Sequence, residues 1–157
     1  MRLRLILLCT TLIVTHLVLH VALELGPVAP DLVVVALLLA SRSLGSSGGA
    51  VLGFVLGLVE DAFATISFGA NVFALTVVGA LGARTRDFFV GDSIPFLAVF
   101  FTLGKWSRDL LAWTASDPAA RLPLGDLALV ESPLLGLYAA AAGLVFRVLF
   151  ARRRGNR

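Results

Sequence analysis

Residues 45–61 read GSSGGAVLGFVLGLVED. Gly45, Gly49, Gly53 and Gly57 recur every four residues, and Asp61 is the next step of the same period. From Ala50 to Val59 the positions between them are all apolar, so a helix here has a small-residue edge and no face suited to water. Such a segment belongs in a bilayer, where small residues let helix backbones approach closely. Four residues of α-helix turn through about 400°, so the stripe drifts by roughly 40° per step and wraps slowly around the helix. That geometry suits either close packing inside a bundle or a docking face for another protein's helix. Both readings hold for Gly49, Gly53, Gly57 and Asp61.

The rest of the chain agrees with a membrane setting. Of its 157 residues 59% are hydrophobic and 15% charged, with a mean hydropathy of +0.97. A soluble domain is about half apolar and about a quarter charged. A chain this short keeps much of its surface wet in water and could not hide such a composition. Disorder is excluded by the same scarcity of polar residues. The single cysteine, Cys9, rules out an intrachain disulfide. A spanning helix takes about 20 apolar residues, and the apolar runs predict an all-α membrane protein of six transmembrane helices in one compact domain, 1–157. The helices are expected over 3–23, 30–42, 47–68, 70–83, 93–113 and 133–150, with a basic cytoplasmic tail at 151–157. Pro27 and Pro30 end the first segment, which is expected to be retained because no small-residue cleavage site precedes Glu24. Pro30 and Asp31 suit the start of the second. The second and fourth segments are short for a full bilayer, and are either sheltered by neighbours or set beside a thinned membrane.

Charge placement tests this layout. With a cytoplasmic N-terminus, the inner side carries Arg2, Arg4, Arg42, Arg84, Arg86, Arg147, Arg152, Arg153, Arg154 and Arg157, ten of the thirteen Lys and Arg residues. The outer side carries Arg121 alone, while Lys105 and Arg108 lie within the fifth helix. Glu24, Asp31, Glu60, Asp61, Asp117, Asp126 and Glu131 fall on the outer side. This is the positive-inside pattern, and an odd number of spans would split it. Both termini are therefore expected in the cytoplasm.

Three polar groups stand out. Glu60 and Asp61 lie about 20 Å along the third helix at 1.5 Å per residue, toward its outer end. Lys105, Arg108 and Asp109 form a charge cluster in the fifth helix, with Lys105 and Asp109 at i,i+4. They read as a neutralised interfacial group or as a network with Glu60 or Asp61, and depth favours an ion pair between Asp61 and Lys105 or Arg108. His16, His20 and Glu24 share one four-residue stripe. Two histidines at i,i+4 can chelate a metal, but interhelical hydrogen bonding is the simpler reading, and neither metal nor cofactor is expected. Gly136, Ala139, Ala140 and Gly143 give the sixth helix a packing face. The chain lacks a phosphate-binding loop, a dinucleotide fingerprint and a nucleophile elbow, and no catalytic set is expected.

Taken in order, these segments resemble the MreD family of the bacterial rod-shape machinery. The resemblance rests on Pro30-Asp31-Leu32, on Gly53-Phe54-x-x-Gly57-Leu58-x-x-Asp61, on Gly69-Ala70-Asn71-x-x-Ala74-Leu75, and on a helix ending in Arg84-x-Arg86. Glu60 departs from the pattern, and Lys105, Arg108 and Asp109 match none of it. The resemblance implies a fold similar to the substrate-binding subunits of energy-coupling-factor transporters. It implies a non-enzymatic scaffold in the bacterial inner membrane that binds an MreC-type single-span protein. RodA glycosyltransferase, a class B penicillin-binding protein and MreB filaments are further implied partners, besides membrane lipid; nucleic acid is not. A vitamin-type binding subunit of a transporter is the alternative.

Overall fold

The computed structural model describes residues 2–24, 29–64, 67–88 and 93–152. Among them there are helices and no strands. Helix α1 (Arg2–Leu17) runs on through a π-helical turn, Val18–Ala22. It is followed by α2 (Leu32–Ala62), α3 (Ala70–Phe88), α4 (Ile94–Ala115), a short α5 (Leu124–Asp126) and α6 (Ser132–Arg152). Pro27, Arg153, Arg154 and Arg157 lie outside the described residues.

Helix α2 is a hairpin. Gly45 has φ 80° and ψ 173°, a backbone conformation essentially reserved for glycine. The chain doubles back there. Asp31 and Glu60 are 29 residues apart, which a straight helix would stretch to roughly 43 Å, yet their carboxylates come within 4.8 Å of each other. Gly45 therefore turns the chain between the arms 32–44 and 46–62, and the close-packing stripe is Gly49, Gly53 and Gly57.

The first arm is the centre of the molecule. Leu32 to Leu38 are each 2% exposed or less. The sequence LVVVALLLA has no polar face, and a helix apolar all round is a buried helix. Every neighbour touches it: the Cys9 thiol of α1 donates to the Ala36 carbonyl at 3.6 Å, while Leu37, Leu38 and Val35 fill the spaces beside Gly79 of α3, Gly104 of α4 and Gly143 of α6. Its shortness is matched by this enclosure.

The second arm packs on α3. A Cβ at Gly49, Gly53 or Gly57 would overlap the backbone of Gly79, Leu75 or Val72 respectively. The descending order of partners makes the two helices antiparallel. Phe54 lies on the opposite, outward side at 47% exposure, with Val51 and Val55. The arm ends at Ala62, short of the expected 68, and α3 continues to Phe88, beyond the expected 83.

The segment 114–132, expected as a loop, is a loop only in its first part. Helical structure resumes at Leu124 and passes through a π turn, Leu127–Glu131, into α6. Within the π turn the Ala128 carbonyl accepts from Trp106 Nε1 at 2.9 Å. Length and composition make two helical stretches, Leu32–Ala62 and Leu124–Leu149, apolar enough to cross a membrane, and Leu5–His20 and Ala70–Thr85 are shorter apolar helices. The 31 residues of Leu32–Ala62 are shared between two arms.

Candidate functional site

Four separate parts of the sequence bring charge to one end of the bundle. Asp31 caps the first arm of α2, accepting from the Val34 amide at 3.2 Å, as a helix N-cap does. The cap fixes the carboxylate at the arm's start and turns Oδ2 toward α4. There it meets Lys105 Nζ at 3.4 Å and Arg108 Nη1 at 3.8 Å. The hairpin returns Glu60 to the same level, where Oε2 accepts from Arg108 Nη2 at 2.6 Å. Lys105, Arg108 and Asp109 share one face of α4 through i,i+3 and i,i+4 spacing. Asp109 Oδ1 accepts from Lys105 Nζ and, at 3.2 Å, from Arg108 Nη1. Arg108 Nη2 also donates to Asn71 Oδ1 at 2.7 Å. From α1, His16 places Nδ1 3.9 Å from Asp31 and Nε2 3.6 Å from Glu60. The side chains of Asp31, Lys105, Asp109 and His16 are each less than a tenth exposed.

Asp61 has a different partner from the expected one. Consecutive helical residues point about 100° apart, so Glu60 faces α4 while Asp61 keeps the direction of the glycines and faces α3. Its carboxylate accepts from the amides of Gly69, Asn71 and Val72 at 2.9, 3.2 and 3.0 Å. These are donors at the open N-terminal end of α3, which have no partner within the helix and carry its positive dipole end. The expected pairing of Asp61 with Lys105 or Arg108 is thus corrected: Glu60, the other acid of the expected network, takes Arg108, and Asp61 clasps the α2–α3 connection. Gly69 serves the clasp through its φ of +98°.

The stripe His16–His20–Glu24 is also divided. His20 stacks on His16 with centroids 4.0 Å apart, whereas Glu24 is exposed with φ 51°. The acids beside His16 are Asp31 and Glu60, from another helix. Of the residues singled out in the sequence, His16, Asp31, Glu60, Asn71, Lys105, Arg108 and Asp109 meet in one cluster. Asp61 and Gly69 stand next to it, Pro30 precedes the cap, and Phe54 is remote. His16 stands outside the network expected from the sequence; shared depth is the signal for it, since His16 and Lys105 both lie about 10–12 Å from the outer ends of the expected helices at 1.5 Å per residue.

The cluster holds three acids, Asp31, Glu60 and Asp109, against two cations, Lys105 and Arg108. It borders a cavity of about 220 Å³ lined by His16, His20, Asp31, Glu60, Lys105 and Arg108 among others. A second cavity, of about 280 Å³, shares Lys105 and Leu135 with the first and extends to Trp113, Arg121 and Glu131. The arrangement can fix four helices in one register and can accept a further cation.

Residues 2–104 match the model of a family described as rod shape-determining protein MreD. That is 103 of 157 residues (104 − 2 + 1), about two thirds of the chain. No curated protein and no solved structure matches. The matched stretch includes Asp31, Glu60, Asp61 and Asn71 and ends one residue before Lys105.

Proposed function

Because the chain belongs to the MreD family, whose members are bacterial inner-membrane proteins of rod-shape determination, we propose that it is a non-enzymatic scaffold of peptidoglycan elongation that binds an MreC-type single-span protein. Through that partner it helps couple cytoplasmic MreB filaments to RodA and its penicillin-binding protein. The family match carries this reading. It is supported by how the chain disposes its surface. The glycine edge and the charged side chains described above are used inside the bundle, while large apolar side chains point outward, including Leu129, Val130, Leu134 and Leu137 at 60–79% exposure. Such a protein acts through intramembrane surfaces. Gentle solubilisation and crosslinking from native membranes should recover a single-span partner with a periplasmic domain. Recovery of no such protein counts against the scaffold.

The proposed layout has six membrane-crossing segments in one domain: α1, the two arms of α2, α3, α4 and the helix ending in α6. Both termini lie in the cytoplasm, which puts the charge cluster toward the periplasm. Cysteines introduced at Gly125 and Gly155 test it, with little background because Cys9 is buried. An impermeant maleimide should label Gly125→Cys in intact cells and Gly155→Cys only after permeabilisation. Labelling of both from one side refutes six spans.

The cavity reaching Trp113, Arg121 and Glu131 favours a second reading, a vitamin-type binding subunit. A small molecule retained in native mass spectra would support it over the scaffold.

A further inference from the structure

The geometry points to a binding site for one divalent transition-metal cation of the zinc class, held by His16, Asp31 and Glu60. One ligand atom from each residue lies within 4.8 Å of the others. A small contraction brings three such atoms onto one ion with bonds of about 2.0–2.2 Å.

Two observations beyond proximity support the site. His16 Nδ1 and Glu60 Oε1 are buried without a hydrogen-bond partner, on side chains 8% and 10% exposed, and both residues line the cavity of about 220 Å³. Buried polar atoms are ordinarily satisfied, so a pair of unsatisfied ones beside a polar cavity marks a place where something binds. The carboxylates are also divided oxygen by oxygen. Arg108 and Lys105 hold Glu60 Oε2 and Asp31 Oδ2, while Glu60 Oε1 and Asp31 Oδ1 turn toward His16. The cations thereby act as outer supports that orient ligating oxygens, as hydrogen-bonded groups do around metal sites.

Charge and ligand type narrow the occupant. With His16 neutral, the form that ligates metal, the cluster sums to one negative charge, from three acids and two bases. One imidazole nitrogen with two carboxylates suits zinc better than magnesium or calcium, which take mainly oxygen ligands. His20 stacks on His16 and lines the same cavity, packing the imidazole against the site without belonging to the ligand group. The adjoining cavity that reaches Arg121 and Leu122 offers a way in.

The test uses tag-free full-length protein in detergent, stripped with chelator and titrated with zinc by calorimetry. The expected result is one zinc per chain, with His16→Gln and Glu60→Gln each weakening binding by about 100-fold or more, beyond the loss typical of an outer support. X-ray absorption on the zinc-loaded wild type needs no variant and should show imidazole scattering with a nitrogen and oxygen shell at about 2.0–2.1 Å. No zinc uptake by the stripped wild type overturns the site. A shell without imidazole, or unchanged affinity in both folded variants, overturns it equally.

Discussion

The seam between α2 and α3 and the charged cluster beside it, which ties α2 to α1 and α4, hold the bundle by opposite means. At the seam, backbone meets backbone because Gly49, Gly53 and Gly57 have no side chains to intervene. Its contribution is dispersion, spread over many weak contacts. In the cluster a few long side chains reach across gaps, and each group depends on the charge opposite. The difference teaches how each region fails. Added volume breaks the seam, and no change of charge repairs it. Loss of one charge breaks the cluster, and loss of its partner repairs part of the damage.

The largest effect is expected from Arg108→Ala. It leaves Glu60 and Asp31 facing a buried space without their guanidinium, at a cost of about 3–5 kcal/mol. Chemical unfolding in detergent micelles measures it. Adding Glu60→Gln to Arg108→Ala should recover part of the loss, and a double change no better than the single one would mean that the cluster is not held by charge. Gly53→Leu comes next, at about 1–3 kcal/mol from overpacking, with no recovery from any polar change at Glu60 or Arg108. Full additivity between seam and cluster variants would sharpen the comparison, and strong coupling would break it. The smallest expected effect is Asp61→Asn, about 1 kcal/mol, the usual scale for a lost helix cap. The exchange Asp61→Lys with Lys105→Asp should bring no rescue, because the two side chains serve different helices. Rescue would return Asp61 to the cluster.

How much of this was readable depended on distance along the chain. The glycine seam is a local period, so its spacing named the residues in contact. The cluster is not local. Arg108 and Glu60 are 48 positions apart, and His16 belongs to yet another helix. Depth along the helices brought these groups to one level, but only the folded hairpin set which faced which. Depth alone favours Asp61 as the partner of the α4 cations, but helical rotation sends Glu60 to α4 and Asp61 to α3. Gly45 has the same letter and the same period as the stripe glycines, yet it is the turn. The polar run Ser41–Ser47 around it was the mark of that difference, since such clusters interrupt helices. The helical turns at Leu124–Glu131 had no such mark, because an apolar run as short as Leu127–Val130 does not distinguish helix from strand or loop.

The hairpin also constrains how the chain enters a membrane. Its first arm covers about 20 Å at 1.5 Å per residue, less than the roughly 30 Å of hydrocarbon, and it carries Asp31 at one end. Inserted alone during synthesis, it would be too short to be held across the bilayer, with an uncompensated carboxylate at its tip. The arm that follows supplies the missing length of apolar chain. The two arms are thus expected to enter together as one bent unit, with Gly45 leading or trailing, before α4 has been made and its cations can reach the acids. The intermediate at that stage holds two bare carboxylates at one interface, so the order of synthesis makes Lys105 and Arg108 the residues that lock an already inserted hairpin.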